Sequence, residues 1–294
     1  MAKLDQSAKT KDAIDAFDSL TFSFFDHNRQ LRKENKLRFN ILNNIFHSLS
    51  IPQKEKLNRW ILQRSSLHKP LQYILGNQPF LGTDIKLRTG VLIPRWETEE
   101  WVDKVIQVIH AQTETPNHPT TLLDLCTGTA CIPIAITNAI PSLTATAIDI
   151  SPRALSLARL NTRRNNLSPR VHVSHLDVLS SPLHAYPVSR VDYVTSNPPY
   201  IPEDEYLTLE QSVIGWEDKK ALVGVGQDGA GFYRVIGRVA KELLVGRKGK
   251  RLFLEVGGDT QAGIVEGILR EEGWNAVETW KDMAGKGRVV VGIL

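Results

Sequence analysis

The four residues Asn197-Pro198-Pro199-Tyr200 combine types that can hold an amino group in a reactive orientation. Two consecutive prolines fix φ, remove two N–H donors and keep the residue before each of them extended. A turn stiffened in this way presents the Asn197 side-chain amide and the Pro198 carbonyl as paired acceptors, and Tyr200 adds an aromatic face. An NH2 group set against those acceptors has its protons engaged and its lone pair directed elsewhere. Upstream, Asp124-Leu125-Cys126-Thr127-Gly128-Thr129-Ala130 runs from a strand into a loop of small residues and then a helix. Small residues let main chain approach a ligand closely, and a helix N-terminus offers free N–H groups. Asp149 ends the next strand-like run, where a carboxylate can take both hydroxyls of a ribose. The loop and Asp149 alone leave a nucleotide-type ligand and an ordinary strand–loop–helix turn equally open, and Asn-Pro is a common turn dipeptide. The order of all three along the chain is what favours a site.

The elements needed to position these residues are legible as periodicities. Beyond residue 120, strand-like runs fall at Thr121–Leu125, Thr144–Asp149, Val171–His175, Val191–Thr195, Arg251–Val256, Ala276–Trp280 and Arg288–Leu294. Helices fit between them at Ile132–Asn138, Pro152–Asn165, Ala230–Leu244 and Thr260–Glu271, after one from about Glu97 to Gln112. This alternation predicts an α/β fold with a doubly wound sheet, whose ligands bind at the carboxyl ends of the strands. The first 75 residues read as helices: Leu20, Phe24, Phe25, Leu31, Leu37, Ile41, Leu42, Ile45, Phe46 and Leu49 recur at three-to-four spacing. Pro52 interrupts that pattern, and Leu57, Trp60, Ile61 and Leu67 resume it until Pro70. Between the two parts, Phe80, Ile85, Leu87, Val91 and Ile93 alternate around turn residues and predict a β-hairpin. The expected organisation is a helical domain over 1–77, a hairpin linker over 78–94 and an α/β domain over 95–294.

Composition excludes several classes. The 294 residues are 41% hydrophobic and 23% charged, with a net charge of +4. That is the balance of a globular protein, and no apolar run approaches the roughly 20 residues of a membrane helix. Cys126 and Cys131 are too few for a disulfide framework or a zinc cage, which suggests a reducing compartment. Residues 1–90 carry 15 Lys and Arg against 8 Asp and Glu, a net of +7, whereas the remainder is at −3. A basic front end suits either an anionic partner or a solvated helical surface. The extreme N-terminus has neither an apolar signal core nor an acid-poor, Arg-rich transit pattern.

With these motifs in order, the chain resembles the class I S-adenosylmethionine-dependent methyltransferases that act on nitrogen. More narrowly, it resembles the HemK/PrmC group, the N5-glutamine methyltransferases of peptide chain release factors. The markers are Pro70-Leu71-Gln72-Tyr73-Ile74-Leu75-Gly76, Leu92-Ile93-Pro94-Arg95-Trp96-Glu97-Thr98-Glu99, the Asn197–Tyr200 turn with Ile201, and Ala221-Leu222-Val223-Gly224 leading to Asp228-Gly229. The likeness runs from roughly residue 54 to the C-terminus. It implies a Rossmann-like seven-stranded sheet with a small N-terminal helical substrate-docking domain joined by the hairpin. It also implies S-adenosyl-L-methionine held by Cys126, Thr127, Gly128, Thr129 and Ala130, by Asp149 at the ribose, by Asp177 and Val178 beside the adenine, and by Asn197. Asn197, Pro198, Pro199 and Tyr200 would clamp the substrate, with Asn197, Pro198 and Tyr200 catalytic and no metal. The implied substrate is the glutamine of the Gly-Gly-Gln loop in a class I release factor, docked on the basic front end. Neither direct nucleic-acid binding nor a membrane is expected.

Some positions depart from the family pattern. Cys126 and Ala130 replace the outer glycines of the usual Gly-Thr-Gly-Ser/Thr-Gly loop, Trp96 replaces a proline, and Glu217-Asp218 replaces Glu-Pro. Ala130 opens a helix and is expected to need only a small side chain, while Cys126 is the more consequential change. The Cys126 thiol has no His or Lys beside it in sequence and is expected to be inert. Arg95 suits either a salt link at the hairpin or a place in the site. The departures point to the eukaryotic organellar branch and a mitochondrial matrix location, which an isoelectric point of about 9.0 suits; the alternative is cytoplasmic. Two rival functions remain: a nucleic-acid adenine N6-methyltransferase, disfavoured by the modest charge and the lack of a basic aromatic-laced stripe, and a non-catalytic binding module with a decayed cofactor loop.

Overall fold

The computed structural model describes residues 47–112, 119–244, 249 and 251–294. The helical pattern read over residues 20–46, the basic residues Arg29, Arg32 and Lys33, and most of the polar linker from Thr113 lie outside these residues. The chain divides into two compact units, Met1–Ile74 and Leu75–Leu294.

In the first unit, helix α1 spans Ile51–Ser65. The chain breaks as expected, at Leu49 and Ser50 after helical His47 and Ser48. Pro52 stands in the first turn of the helix that resumes, where proline sacrifices an N–H that has no intrahelical acceptor anyway. The Ser50 N–H donates to Gln53 Oε1 at 2.8 Å, completing the helix start. Helix α2, Leu71–Leu75, spans the division between the units.

The second unit begins with strands β1 (Asn77–Phe80) and β2 (Thr83–Lys86), paired antiparallel with Phe80 opposite Thr83. The hairpin is therefore shorter than the alternation predicts, and a separate turn follows, in which Val91 N–H donates to the Arg88 carbonyl at 3.2 Å. Phe80 and Ile85 are fully buried. The hairpin is bolted to helix α5 (Pro152–Arg164) by the buried Asn161, whose Oδ1 accepts from Lys86 N–H at 2.8 Å and whose Nδ2 donates to the Lys86 carbonyl at 3.1 Å.

After helix α3 (Trp96–Gln112) come β3 (Thr120–Leu125), α4 (Cys131–Ala139), β4 (Leu143–Asp149), α5, β5 (Val171–His175) and β6 (Tyr193–Ser196). Three four-residue helices, α6 (Glu203–Tyr206), α7 (Gln211–Ile214) and α8 (Lys219–Leu222), follow and have no clear periodic signal. The chain ends with α9 (Gly231–Leu243), β7 (Arg251–Glu255), α10 (Asp259–Glu271), β8 (Ala276–Lys281) and β9 (Gly287–Ile293). The seven-stranded sheet runs in the order β5-β4-β3-β6-β7-β9-β8, parallel through β7 and antiparallel at β9. It is the expected α/β architecture with flanking helices. The central strands are near-continuous apolar runs because both of their faces are covered. Leu122, Leu123, Leu125, Val194, Leu252 and Leu254 are essentially inaccessible, and Tyr233, Ile236, Val265 and Leu269 of α9 and α10 join the same core. Among the described residues no helix is long and apolar enough to cross a membrane.

Candidate active site

Strand order reverses between β3 and β6, and the register there aligns the residues that matter. Leu125 lies opposite Ser196 and Ile148, and Ser196 lies opposite Leu254. The next residues, Asp149, Cys126, Asn197 and Glu255, therefore leave the carboxyl edge of β4, β3, β6 and β7 side by side, at the roughly 4.8 Å spacing of paired strands. The site is built on this row.

The loop from Cys126 to Ala130 is held in an unusual backbone conformation. Cys126, Gly128 and Ala130 have φ of +58°, +55° and +63°. A β-carbon in this left-handed region costs about 1–2 kcal/mol. The expectation that Ala130 need only be small is thus incomplete: it is the left-handed N-cap of α4 as well as fully buried. Cys126 carries the same strain. The conformation persists because its surroundings over-determine it. Thr127 N–H donates to the Ile148 carbonyl at 2.9 Å, Ala130 N–H to the Thr127 carbonyl at 2.8 Å, and Asn161 Nδ2 to the Thr129 carbonyl at 3.0 Å. Thr127 Oγ1 donates to Asp124 Oδ2 at 2.5 Å, and Thr195 Oγ1 reaches Asp124 Oδ1 at 2.7 Å. Asp124 is fully buried, and desolvation raises its pKa to about 7 despite these two hydroxyls. Thr127, Thr129 and Ala130 are buried, so within the loop only Cys126 and Gly128 reach the surface. The Cys126 thiol rests in hydrogen-bonding contact with Ser196, and burial pushes its pKa up, consistent with an inert thiol.

Asp149 closes the loop. Its Oδ2 accepts from Gly128 N–H and its Oδ1 from Ser151 N–H, both at 2.8 Å. Burial raises its pKa while these N–H groups oppose the shift. Asp177 follows β5 on the neighbouring edge, where its carboxylate accepts from Leu179 N–H at 3.0 Å and Ser180 Oγ at 2.6 Å. The Val178 side chain packs with Leu176 and Tyr186 in the core.

The Asn197–Tyr200 turn is anchored at both ends. Ser196 Oγ donates to the Leu125 carbonyl at 2.8 Å, while Tyr200 and Ile201 N–H both donate to the Leu222 carbonyl, at 3.1 and 2.9 Å. Between these anchors, the Asn197 side-chain amide and the Pro198 carbonyl have no hydrogen-bond partner among the described residues. Burial holds the Tyr200 phenol well above its ordinary pKa, so the ring carries no charge. The Gly224–Gly229 marker also has a cause: Gly229 has φ +65°, and a β-carbon there would stand 2.5 Å from the Tyr200 carbonyl oxygen. Arg95 Nη2 pairs with Glu217 Oε1 at 2.6 Å, and Glu217 Oε2 accepts from Ile93 N–H at 3.3 Å. Arg95 thus forms a salt link between the segment after the hairpin and the residues downstream of the turn.

Sequence neighbours of Asn197 include no carboxylate, yet the fold sets Glu255 abreast of it. Glu255 is fully buried, and its Oε2 accepts from Thr98 Oγ1 and Trp101 Nε1, each at 2.7 Å, which ties α3 to the sheet edge. Desolvation raises its pKa. The sequence reading missed Glu255, Tyr233 and Gln261. The signal that singled out Asp149, an acid ending a buried strand, applies equally to Glu255.

Comparisons with known proteins agree with this geometry. The methyltransferase small domain family matches residues 99–219. A release factor glutamine methyltransferase of Clostridium acetobutylicum is 37% identical over 224 residues, covering 76% of this chain and 75% of that protein. The mitochondrial MRF1 N(5)-glutamine methyltransferase MTQ1 of Saccharomyces cerevisiae is 36% identical over 245 residues, covering 81% of this chain and 74% of its own length. Among solved structures, the N-terminal domain of human METTL16 in complex with SAH has a TM-score of 0.50 at 16% identity, covering 84% of each chain, and it supports the fold. On the strength of these relatives, this chain belongs to the release factor glutamine methyltransferase family.

Proposed function

We propose that the protein transfers a methyl group from S-adenosyl-L-methionine to the side-chain nitrogen (N5) of the glutamine in the Gly-Gly-Gln loop of a class I peptide chain release factor. The observation that carries this reading is the pair of unengaged acceptors, Asn197 Oδ1 and the Pro198 carbonyl, on a turn anchored at both ends beside the strained loop. The residues present fit an adenosyl ligand. No atom lies within 4 Å of where a side chain on Gly128 would begin, so a ligand can rest on its main chain. Asp149 spends one lone pair on each oxygen and keeps another on each for ribose hydroxyls. The loop from Cys126 to Ala130 and Asp149 would hold the cofactor, with Asp177 and Val178 toward the adenine.

Bound S-adenosyl-L-methionine would supply a sulfonium methyl whose leaving group, the neutral thioether of S-adenosyl-L-homocysteine, needs no acid to depart. The amide nitrogen would lose one proton to water as its bond to the methyl forms. An amide nitrogen is a poor nucleophile because its lone pair is delocalised into its carbonyl. Asn197 Oδ1 and the Pro198 carbonyl accept both amide protons and favour a nitrogen turned toward pyramidal geometry, while Tyr200 walls the side chain in. Positioning of this kind can supply up to about 7–11 kcal/mol. The same acceptors select against glutamate, whose carboxylate oxygens would leave them unpaired at about 1–3 kcal/mol each. Incubation with labelled S-adenosyl-L-methionine and a class I release factor, followed by mass spectrometry, tests the assignment: the methyl is expected on the loop glutamine. Its absence there would sink the reading.

Gly128→Ala separates cofactor binding from folding. The strain at φ +55° should cost stability by about 1–2 kcal/mol, whereas the new methyl group projects onto the face where the ligand must rest. Calorimetry should show affinity for S-adenosyl-L-methionine falling at least tenfold while the fold survives; unchanged affinity would contradict the placement.

The segment over 1–77, which its sequence predicts to be helical, is proposed to dock the release factor, supported by the +7 net charge of residues 1–90. Reversing Arg29, Arg32 and Lys33 together should raise KM for the release factor about tenfold, the effect of roughly 1.4 kcal/mol, with little change in kcat. If neither parameter moves, this docking role is wrong. A place in the mitochondrial matrix is supported by the likeness to the yeast protein, which is named as mitochondrial.

A further inference from the structure

We infer that Gln261 is a positioning residue for the substrate clamp, fixing the orientation of Tyr200. This rests on the functional reading above. Gln261 lies in the first turn of α10, and its Nε2 donates to the Tyr200 carbonyl at 2.8 Å. Its own orientation is set: Oε1 accepts from Gly257 N–H at 2.8 Å and from the Tyr233 hydroxyl at 3.3 Å. Tyr233 is fully buried, and its hydroxyl also donates to the Glu255 carbonyl at 2.8 Å. The amide orientation is therefore fixed by Gly257 N–H, which can only donate to its oxygen, and by the Tyr200 carbonyl, which can only accept from its nitrogen, while the single Tyr233 hydroxyl proton is shared with the nearer Glu255 carbonyl.

The consequence for the clamp follows from how few torsions it has left. Pro198 and Pro199 have fixed φ. Tyr200 N–H is held by the Leu222 carbonyl and the Tyr200 carbonyl by Gln261, so both peptide planes flanking Tyr200 are tied down. With Gln261 removed, the plane after Tyr200 keeps only the Ile201 N–H bond to the Leu222 carbonyl and loses its tie to α10. The Tyr200 ring then samples orientations that no longer wall in the substrate amide, at a cost to attack geometry and not to encounter.

The test uses the full chain, a class I release factor and labelled S-adenosyl-L-methionine. In Gln261→Met, which keeps the length and loses both hydrogen-bonding ends, kcat is expected to fall about tenfold, with KM for the release factor and cofactor affinity within about twofold. Hydrogen exchange at the Tyr200 and Ile201 amides should speed up in the same variant. Gln261→Glu provides a second arm: a protonated carboxyl can still donate to the Tyr200 carbonyl, but an ionised one opposes oxygen to oxygen. Its kcat relative to wild type should therefore decline as pH rises through the ordinary carboxyl range, from about 4 to 7, whereas Gln261→Met stays low throughout. Wild-type kcat and exchange in Gln261→Met, or a Gln261→Glu profile parallel to wild type, would overturn the inference. A wild-type protein that methylates no release factor would instead defeat the functional reading, and the exchange measurement would still decide the positioning. If Gln261→Met does not fold, Gln261→Glu at low pH carries the comparison.

Discussion

Replacing Asn197 with alanine is expected to lower kcat on the release factor by about 10²–10³-fold while leaving affinity for S-adenosyl-L-methionine within about threefold. The magnitude follows what the loss of one preorganised hydrogen-bonding group costs at a reacting centre, about 2.7–4 kcal/mol. The side chain has no other structural duty to confuse the result, since its amide bonds to nothing else among the described residues. The loss should fall on kcat more than on KM. A planar amide is held weakly by two acceptors, whereas a nitrogen turning pyramidal has more acidic protons and gains more from them, so the interaction matters most in the transition state. The Pro198 carbonyl stays in place, which is why a residual rate is expected. The cofactor loop is tied by Asp149, Asp124 and Asn161, none of which contacts Asn197 in a recorded hydrogen bond. Single-turnover methylation with calorimetry in parallel checks both halves; wild-type turnover in the variant would exclude the clamp as the catalytic device.

The second large effect is a pH dependence of stability centred on Asp124. In the folded protein its carboxyl titrates at about 7, against 3.8 for an unburied aspartate. Between these values the native state keeps a proton that the unfolded chain has released. Stability is therefore fully present below about pH 4, declines as pH rises, and has lost this contribution above about pH 7. The span corresponds to about 4 kcal/mol. Burial is the main cause, with Asp149 adding repulsion and the two threonine hydroxyls opposing the shift. Asp124→Asn removes the titration yet keeps the contacts, because its oxygen can accept from one threonine and its NH2 can donate to the other. Denaturant midpoints measured from pH 4.5 to 8 should fall with pH more steeply in the wild type than in Asp124→Asn. Parallel curves would show that Asp124 is not the group responsible. The effect reaches function because Thr127, held by Asp124, belongs to the strained loop.

Much of this site could be read from local chemistry. Asn197-Pro198-Pro199-Tyr200 announces itself because proline acts on its immediate neighbours, so the stiffness of the turn is written in adjacent residues. The strands that carry Asp149 and Asn197 were equally visible, since burial on both faces demands apolar runs whatever the rest of the chain does. Where local inference stopped short, the deciding partner was distant. Arg95 is assigned to a salt link only once Glu217, 122 positions away, is seen against it. Glu255 gains its meaning from Thr98 and Trp101, 157 and 154 positions away. Pro52 is the converse case: the break at Leu49 and Ser50 and the restart of helix at Ile51 are a boundary that proline marks locally.

Short-range stereochemistry and periodicity thus pointed to the fold class, the order of motifs and the residues proposed as the clamp. The tertiary structure decided how the pieces are held. It placed Asp149, Cys126, Asn197 and Glu255 abreast, because sheet register, and not spacing along the chain, determines which strand ends are neighbours. It also showed that Cys126 and Ala130 occupy left-handed backbone that glycine would adopt without strain. Their tolerance comes from Asn161, Asp124 and Asp149, which reach the loop from other elements and supply the hydrogen bonds that keep it in place.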